Sequence, residues 1–308
     1  MRAYVFTAIG GPDAEAFADL PVPEPGPGQI LIAVQAAGVN PADWKQRAGM
    51  SARPARTLPA VFGREAAGVV VRTGTAVTGY RPGDAVFGYP DTGAFAEYTL
   101  LPAGLSVPRP PGLPATEAAT LPVAAATAYD GLAQLGLPAG ATLLVTGAGG
   151  GVGVVVAQLA VRAGITVIGT ASAAKRAFVT ALGVVHVPSG PGAAQRVRAA
   201  APAGVDAIYD LAGGPGLAEL AALLADRSML ITAADRQAAV RLGGRPLQRE
   251  RSREVLEEVA QLAARGVFRP MVTGAFPLEE AGAALRAVED GHATGKLVIT
   301  VAAGGEPV

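Results

Sequence analysis

The sequence has no cysteine and only two histidines, His186 and His292, in 308 residues. The absence of cysteine excludes disulfides, thiolate metal ligands and a cysteine nucleophile, but it leaves the redox compartment open. A reducing cytoplasm is the default expectation. With two histidines a histidine-rich zinc site is impossible, and a Ser-His-Asp triad would have to use one of them. We interpret each as an ordinary loop or strand histidine.

Charged residues are also scarce. They make up 16% of the chain, and 25 Lys and Arg are balanced by 25 Asp and Glu. This balance creates no overall field that would attract nucleic acid or an anionic membrane. Residues 236–255 are rich in arginine but contain acidic residues too, so we interpret them as a solvated loop and helix start rather than a nucleic-acid patch.

Residues 131–161 carry no charge, and by length alone they could span a bilayer. Glycine and proline at Gly136, Pro138 and Gly140, and the cluster at 147–153, divide the stretch into short pieces. We therefore expect no transmembrane helix. The N-terminus is interpreted as a first strand and turn, since acidic residues and proline follow where a signal peptide would have small residues.

The pattern of apolar residues changes along the chain. The first hundred residues form short apolar runs separated by Gly/Pro turns, which indicates a mostly β domain. After about Pro114, apolar strands alternate with Ala/Leu-rich helical segments, which is typical of βαβ units and a parallel sheet. We predict an α/β protein of two domains: 1–118 with 268–308, and a doubly wound parallel-sheet domain at 119–267.

A glycine cluster, "GAGGGVG" at 147–153, follows a predicted strand at 143–145 and precedes a predicted helix at 154–162. In that context the backbone N–H groups at the helix start can bind a pyrophosphate, and glycine allows close approach. The literal G-x-G-x-x-G pattern fails, because Val152 or Val154 occupies the third position. The alternative is a tight turn without a ligand.

The second predicted strand of this domain ends in "GTASAAKR", residues 169–176, without the acidic residue that accepts hydrogen bonds from the ribose of NAD. Ser172, Lys175 and Arg176 instead offer a hydroxyl and two cations to a 2′-phosphate. This pattern favours NADPH over NADH. Alternatively, Lys175 and Arg176 are only the solvated first turn of the next helix.

Several segments together resemble the zinc-free quinone oxidoreductase (zeta-crystallin-like) branch of the medium-chain dehydrogenase/reductase superfamily. They are "PVPEPGPGQILIAVQAAGVNPADWKQRAG", "FGREAAGVVVRTGTAVTGYRPGDAVFG", "GAFAEYTLLPA", "EAATLPVAAATAYDGL", "VTGAGGGVG", "DLAGG" and "GHATGKLVI". The resemblance implies a GroES-like substrate domain, a Rossmann cofactor domain, an active-site cleft where they meet, and usually a homodimer. It also implies hydride transfer from NADPH to a quinone or an activated alkene.

The resemblance further implies roles for individual residues. Asn40 should border the nicotinamide, and Thr127 should form a hydrogen bond near the nicotinamide or its ribose. Residues of the glycine cluster should hold the pyrophosphate, namely Ala148, Gly149, Gly150, Gly151, Val152 and Gly153.

The remaining expected contacts concern the two ends of the cofactor. The 2′-phosphate should be bound by Ser172, Lys175 and Arg176. The nicotinamide half should be flanked by the turn after Asp210, by Thr232 and Ala233, and by Gly295 and Lys296 of the returning C-terminal segment. A lone lysine before an apolar strand can alternatively be an exposed strand end.

The sequence departs from the family at three places. Zinc-dependent relatives have Gly-His-Glu and a catalytic cysteine, whereas this chain has Arg64 before Glu65 and no cysteine, so we predict no metal site. Many quinone reductases have a tyrosine two positions after Asp43, where this chain has Lys45. A further family tyrosine is missing from residues 185–192, so mixed use of NADPH and NADH is open.

The sequence does not identify the proton donor. Solvent, Lys45 and Tyr89 are candidates, and we keep Lys45 as a candidate catalytic residue. Asp43, Glu65 and Glu97 are interpreted as structural hydrogen-bond acceptors.

Three functions remain open. The first is an NADPH-dependent quinone or enone reductase, with a small-molecule substrate; NADH would be a weaker cofactor. The second is a reductase of enoyl thioesters or polyketide intermediates. The third is a non-catalytic NADPH-binding protein.

Overall fold

The computed structural model describes residues 1–51, 55 and 57–302. The strands are β1 (Arg2–Phe6), β2 (Glu15–Asp19), β3 (Gln29–Gly38), β4 (Ala60–Val61), β5 (Ala66–Thr73), β6 (Ala85–Gly88), β7 (Tyr98–Pro102), β8 (Ser106–Pro108), β9 (Thr142–Thr146), β10 (Thr166–Ala171), β11 (Val185–Pro188), β12 (Ala207–Asp210), β13 (Leu230–Thr232), β14 (Arg245–Pro246), β15 (Val272–Pro277) and β16 (Lys296–Thr300). The α-helices are α1 (Pro41–Arg47), α2 (Ala115–Ala118), α3 (Ala126–Leu135), α4 (Gly151–Arg162), α5 (Arg176–Thr180), α6 (Ala193–Ala200), α7 (Leu217–Ala221), α8 (Arg236–Arg241), α9 (Arg253–Ala264) and α10 (Ala281–Glu289).

The chain divides into two compact units. Unit 1 comprises Met1–Val123, Arg251–Ala264 and Val272–Val308, and unit 2 comprises Ala124–Glu250 and Arg265–Met271. The predicted boundaries differ most at α9, which the sequence placed in the parallel-sheet domain. In the structure α9 packs against β8, and its Arg253 donates a hydrogen bond to the Tyr80 hydroxyl at 2.9 Å. Residues 303–308 of the predicted segment 268–308 lie outside the described residues.

Unit 1 is built mainly of β-structure. One sheet has seven strands, six of them in the order β15-β16-β3-β5-β6-β8, with β7 paired to β3; a second has the order β2-β1-β4. The C-terminal strand β16 pairs antiparallel with β3, so the returning end of the chain enters the main sheet as the sequence predicted. The core of unit 1 contains four packed aromatic rings, those of Tyr4, Phe6, Phe62 and Phe95. The ring centroids of Phe6 and Phe62 are 5.0 Å apart.

Unit 2 contains a six-stranded parallel sheet in the order β11-β10-β9-β12-β13-β14. Numbered from β9 as the first strand, this is the 3-2-1-4-5-6 order of the Rossmann fold. The central strand β9 is buried from Leu143 to Thr146, and its middle residues Leu143, Leu144 and Val145 are apolar, as expected for a strand covered on both faces. The predicted fold class, a mostly β unit with a doubly wound parallel-sheet unit, is confirmed.

The helix after the glycine cluster begins earlier than the sequence predicted. It starts at Gly151 rather than at Val154, with Gly150 as its extended N-cap. Apolar periodicity locates a helix from the buried residues that repeat along one face. The first turn of α4 consists of glycine and valine and does not show this repeat, so the predicted start was too late. Among the described residues, no helix has the length and apolar character needed to cross a membrane.

Candidate functional site

The carboxyl ends of β9, β10, β12 and β13 carry most of the residues that the sequence assigned to the cofactor. In a doubly wound sheet, ligands bind outside the carboxyl ends of the strands where the strand order reverses, which here is between β9 and β12. The parallel register places Asp210 beside both Thr146 and Thr232. Unit 2 therefore brings the glycine cluster, Asp210 and Thr232 to one edge of its sheet.

The glycines of the cluster have different structural tasks. Gly147 has a positive φ of 67°, which favours glycine in the turn. A Cβ on Gly153 would lie 2.5 Å from the Gly147 carbonyl oxygen, so α4 can pack against the turn only without a side chain there. Ala148, Gly150 and Gly153 have the spacing of the dinucleotide fingerprint with alanine in the first position. The literal pattern search missed this register.

A buried hydrogen-bond network fixes the turn after Asp210. The Thr146 hydroxyl donates to Asp210 Oδ1 and the Thr232 hydroxyl donates to Asp210 Oδ2, both at 2.6 Å. The backbone N–H of Gly213 also donates to Oδ1, at 2.9 Å. Because Asp210 is fully buried and both oxygens accept hydrogen bonds, its carboxylate shapes the turn.

Thr232 and Ala233 belong to the same arrangement. The Thr232 hydroxyl accepts hydrogen bonds from the N–H groups of Ala234 and Asp235, each at 3.0 Å, and Ala233 N–H donates to the Asp210 carbonyl oxygen at 2.9 Å. Thr146 was missed at the sequence level. Its signal is a hydroxyl residue at the end of an otherwise apolar strand, directly before the glycine cluster.

The end of β10 presents the three residues assigned to a 2′-phosphate. Ser172 and Arg176 are exposed, whereas Lys175 is half-buried. A Cβ on Gly149 would lie 2.8 Å from Lys175 Cδ, so the lysine stem packs over the glycine turn. Burial lowers the pKa of Lys175.

The loop after β11 is held by one arginine. The Arg196 guanidinium donates to the carbonyl oxygens of Pro188 at 2.8 Å and of Pro191 at 3.0 Å. The loop lies within residues 185–192, the segment that lacks the tyrosine found there in other members of the family. No Asp or Glu occurs at 131–205, the segment that contains β9, β10 and β11 with the helices between them, whereas five basic residues do: Arg162, Lys175, Arg176, Arg196 and Arg198.

Thr127 is part of a separate cluster in unit 2. Its carbonyl oxygen accepts a hydrogen bond from the Tyr209 hydroxyl at 2.5 Å, and its hydroxyl accepts one from Arg249. Arg249 Nε also donates to Asp130 Oδ2 at 2.9 Å. Burial raises the pKa of the Asp130 carboxyl, and the neighbouring Arg249 opposes that shift.

In unit 1, Asn40 and Lys296 meet at Glu65. Lys296 Nζ donates to Glu65 Oε1 at 2.7 Å, to Asn40 Oδ1 at 2.8 Å and to the Val39 carbonyl oxygen at 3.0 Å. Asn40 Nδ2 donates to the same Glu65 oxygen at 2.9 Å. Glu65 is fully buried, and its other oxygen accepts from Val123 N–H at 2.7 Å.

These contacts define what Lys296 does within unit 1. All three N–H groups of the ammonium have acceptors, and the residue is 4% exposed. It is therefore not the exposed strand end considered from sequence. The network fixes the orientation of the Asn40 amide, while direct contact of Asn40, Gly295 or Lys296 with a cofactor stays a prediction.

Asp43 lies one turn into α1 and is 1% exposed. Its Oδ2 accepts a hydrogen bond from Asn40 N–H at 2.8 Å, whereas Oδ1 has no partner among the described residues. Burial raises the pKa of Asp43 to about 7, although the charge of Arg64 opposes the shift.

Of the two side chains considered as proton donors, Lys45 is half-buried and Tyr89 is buried. Lys45 Nζ lies 5.7 Å from the centroid of the Trp44 ring, a cation–π contact. The Tyr89 hydroxyl donates to the Pro122 carbonyl oxygen at 2.7 Å and is buried. Neither contact selects a donor.

Comparison with known proteins identifies the family. The model of the alcohol dehydrogenase GroES-like domain matches residues 26–111, and the zinc-binding dehydrogenase model matches residues 182–299. A chloroplast envelope quinone oxidoreductase homolog of Arabidopsis thaliana is 32% identical over 97% of this chain and 98% of that protein. The chain belongs to the medium-chain dehydrogenase/reductase superfamily, in its quinone oxidoreductase branch.

Two further proteins of this branch are similar. A quinone oxidoreductase homolog of Spinacia oleracea is 39% identical over 58% of this chain, and the match spans 57% of that protein. The solved quinone oxidoreductase of Coxiella burnetii has a TM-score of 0.90 at 30% identity, covering 98% of this chain and 99% of the other. The chain is therefore an oxidoreductase of this superfamily.

The description "zinc-binding" belongs to the superfamily model, and this chain differs from it in its donor atoms. Arg64 occupies the position of the histidine in zinc-dependent members, and the chain contains no cysteine. Within residues 1–51, 55 and 57–302, no three His, Asp or Glu side chains are grouped as metal ligands.

Proposed function

We propose that this protein is an NADPH-dependent reductase of quinones or α,β-unsaturated carbonyl compounds. The observation that carries the choice of cofactor is the end of β10. There Ser172, Lys175 and Arg176 follow the strand without a carboxylate, and a carboxylate would repel a 2′-phosphate.

The residues of unit 2 fit a dinucleotide. The glycine turn lies at the switch point of the sheet, and side chains at Gly149 or Gly153 would collide with Lys175 or with the turn itself. We assign the pyrophosphate to the turn from Ala148 to Gly153, where the α4 dipole favours negative charge. Within this turn the N–H groups of Ala148 and Gly150 donate to the carbonyl oxygens of Thr170 at 3.1 Å and Gly147 at 3.0 Å, so these two residues shape the turn. The 2′-phosphate is assigned to Ser172, Lys175 and Arg176.

Two relatives support this cofactor. An NADPH-dependent alkenal/one oxidoreductase of Arabidopsis thaliana is 32% identical over 97% of this chain and 79% of that protein. A mycobacterial protein solved in complex with NADPH has a TM-score of 0.87 at 29% identity, covering 97% of this chain.

When bound, NADPH supplies a hydride from its nicotinamide ring. The contribution of the chain is to hold and orient the reactants, for which we assign Thr127, Thr232, Ala233 and the turn after Asp210 to the nicotinamide half. In unit 1 the Lys296–Glu65 pair holds Asn40, which we assign to the same half together with Gly295. A conjugated carbonyl delocalises the negative charge that hydride addition creates. The reaction therefore does not require a strong Lewis acid.

A second candidate is reduction of an α,β-unsaturated thioester. Part of the Streptomyces orinoci spectinabilin polyketide synthase system protein NorB is 35% identical over 97% of this chain, which spans 14% of that protein. A segment of the erythronolide synthase EryA2 of Saccharopolyspora erythraea is likewise 35% identical over 97% of this chain.

A three-substrate assay separates these functions. NADPH oxidation would be measured with 1,4-benzoquinone, with a simple enone and with an enoyl thioester, each repeated with NADH. We expect turnover with the quinone or the enone and a higher kcat/KM for NADPH. Turnover confined to the thioester would establish the second candidate, and cofactor binding without turnover would reject both enzymatic functions.

We also propose that the protein is a cytoplasmic homodimer that acts on a small molecule. The support for the dimer is the branch to which the chain belongs, and the cytoplasm is the default location for a chain without cysteine. Sedimentation equilibrium would give a mass twice that of the 30.7 kDa chain; a monomer mass at micromolar concentration would contradict the dimer.

A further inference from the structure

His186 lies on β11 beside the turn that we assign to the 2′-phosphate. Its residue partner in the neighbouring strand β10 is Gly169. The imidazole Nε2 lies 3.3 Å from the Ala171 carbonyl oxygen and 3.3 Å from the Ser172 carbonyl oxygen. The ring therefore contacts the backbone of the residue whose side chain is assigned to the phosphate.

The two carbonyl contacts determine which nitrogen can gain a proton. A carbonyl oxygen only accepts hydrogen bonds, so Nε2 must be the protonated nitrogen of the neutral ring. A second proton can then be added only at Nδ1. Nδ1 is buried and has no hydrogen-bond partner among the described residues.

The charged side chains on the segments next to β11 are basic. Lys175 and Arg176 lie on the segment that follows β10, and Arg196 of α6 donates to the carbonyl oxygen of Pro188, the last residue of β11. Both α5 and α6 contact β11, and neither helix contains Asp or Glu. These segments therefore offer cations but no carboxylate.

A bound 2′-phosphate would change this balance. It would add a negative charge of about −1.5 to −2 at pH 7 beside Ser172, in a region that contributes no carboxylate of its own. Histidine is the side chain whose charge normally changes between pH 5 and 8. The phosphate would then supply the counter-charge that an imidazolium lacks in the free protein.

We propose that His186 is a specificity-determining residue that takes up a proton when the 2′-phosphate of NADPH binds. The inference rests on the proposed NADPH site. Proton uptake by His186 would increase the preference of the protein for a phosphorylated cofactor as the pH falls towards about 6. Below that pH the phosphate itself loses charge.

Proton uptake distinguishes this role from simple anchoring of the turn. Binding of NADP⁺, NAD⁺, 2′,5′-ADP and 5′-AMP would be followed by calorimetry at pH 7 in two buffers of different ionisation enthalpy. For the unmodified protein we expect uptake of up to about one proton with NADP⁺ and 2′,5′-ADP and less with the two ligands that lack the phosphate. Between about pH 8 and 6.5 the NADP⁺-to-NAD⁺ affinity ratio should rise on the order of threefold to tenfold.

His186→Gln is the informative variant, because an amide can still donate to the two carbonyl oxygens but cannot become cationic. We expect it to lose most of the phosphate-linked proton uptake and the pH dependence of the ratio. His292→Gln is the matched control, since His292 is the other histidine of the chain.

The outcomes separate the two proposals. If neither NADP⁺ nor 2′,5′-ADP binds the unmodified protein, the proposed cofactor is wrong. If both bind but His186→Gln takes up protons like the unmodified protein, the role of His186 is wrong and the cofactor assignment stands. Equal losses in His186→Gln and His292→Gln would also overturn the role of His186.

Discussion

Lys175 and Arg176 are adjacent basic residues of the proposed cofactor site, yet their surroundings differ. The Lys175 stem packs over Gly149, so its position is linked to the glycine turn. Arg176 is exposed at the first position of α5, where its guanidinium can bind a phosphate with two hydrogen bonds. Arg176 is therefore the clearer test of phosphate recognition, because its replacement disturbs little packing.

Arg176→Glu should raise the KM for NADPH about 30- to 150-fold and leave the KM for NADH nearly unchanged. The estimate of about 2–3 kcal/mol combines one lost charge-assisted contact with added repulsion. Steady-state kinetics with both cofactors measures the difference. Arg198→Glu makes the same charge change on the exposed side of α6 and should have a small effect; equal changes for both cofactors in Arg176→Glu would refute the assignment.

Asp43 should make stability depend on pH. Its pKa is about 7 in the folded protein against 3.8 as the reference value, so between these values the folded state binds the proton more tightly. Its contribution is full below about pH 3.8 and is lost as the pH rises through about 7. Asp43→Asn removes this dependence, so its unfolding free energy relative to the unmodified protein should increase by about 4 kcal/mol from pH 4 to 7.5.

Urea unfolding at a series of pH values would measure that difference. Asp13→Asn replaces an exposed aspartate and should leave the pH dependence of the unmodified protein unchanged. A constant difference between Asp43→Asn and the unmodified protein across pH 4–7.5 would show that Asp43 titrates normally.

At the scale of elements, α4 and β16 are each positioned by a few close contacts. The start of α4 approaches the turn after β9 so closely that Gly153 has no room for a Cβ. β16 begins with Lys296, whose ammonium connects it to β3 through Val39 and to the residue before β5 through Glu65. Both elements carry residues assigned to the cofactor, so errors in their placement should affect binding.

Gly153→Ala should lower the free energy of unfolding by about 1–3 kcal/mol, because a Cβ there would lie 2.5 Å from the Gly147 carbonyl oxygen. The displaced turn should weaken NADPH and NADH binding alike. Gly216→Ala is the matched control, since a Cβ at Gly216 meets no atom within 4 Å and its φ is −69°. Unfolding and fluorescence titrations test both; similar losses in the two variants would contradict the packing argument.

Lys296→Met should cost about 3–5 kcal/mol, because it leaves the buried Glu65 carboxylate without its cation. The double variant with Glu65→Gln removes the charge as well and should be more stable than Lys296→Met alone. A double-mutant cycle from urea unfolding measures the coupling. Additive effects of the two substitutions would show that the pair does not interact as described.

At the scale of the whole molecule, a net charge of zero conceals an uneven distribution. Acidic residues are absent from 131–205, which contains Arg162, Lys175, Arg176, Arg196 and Arg198. An excess of one charge sign around a site raises the local concentration of an oppositely charged ligand. The proposed cofactor is a polyanion, so the uneven distribution should favour its binding although the protein as a whole is neutral.

This distribution predicts a salt effect that depends on the cofactor. Raising NaCl from about 0.05 to 0.5 M should weaken NADP⁺ binding on the order of threefold to tenfold, and NAD⁺ binding less, because added ions screen exposed charges. Fluorescence titrations at several salt concentrations measure both. Arg176→Glu should flatten the NADP⁺ response, and an identical salt response for NADP⁺ and NAD⁺ in the unmodified protein would contradict the prediction.

Features that depend on a few neighbouring residues could be predicted from the amino-acid sequence. Glycine followed by a helix predicted a phosphate turn, and the missing acid after β10 predicted NADPH, since both depend on a few residues in a row. The fold class was predictable too, because apolar periodicity reports which faces are buried.

Contacts between residues that are distant in the chain became visible only in the folded structure. Lys296 and Glu65 are far apart in the chain, and nothing local to either indicates that the ammonium has three acceptors within unit 1. Strand register places Thr146 and Thr232 beside Asp210, so its buried carboxylate accepts a hydrogen bond from each hydroxyl. His186 contacts the carbonyl oxygens of Ala171 and Ser172 because parallel pairing brings β11 beside β10. Such contacts follow from strand order and register, which are set by the whole core.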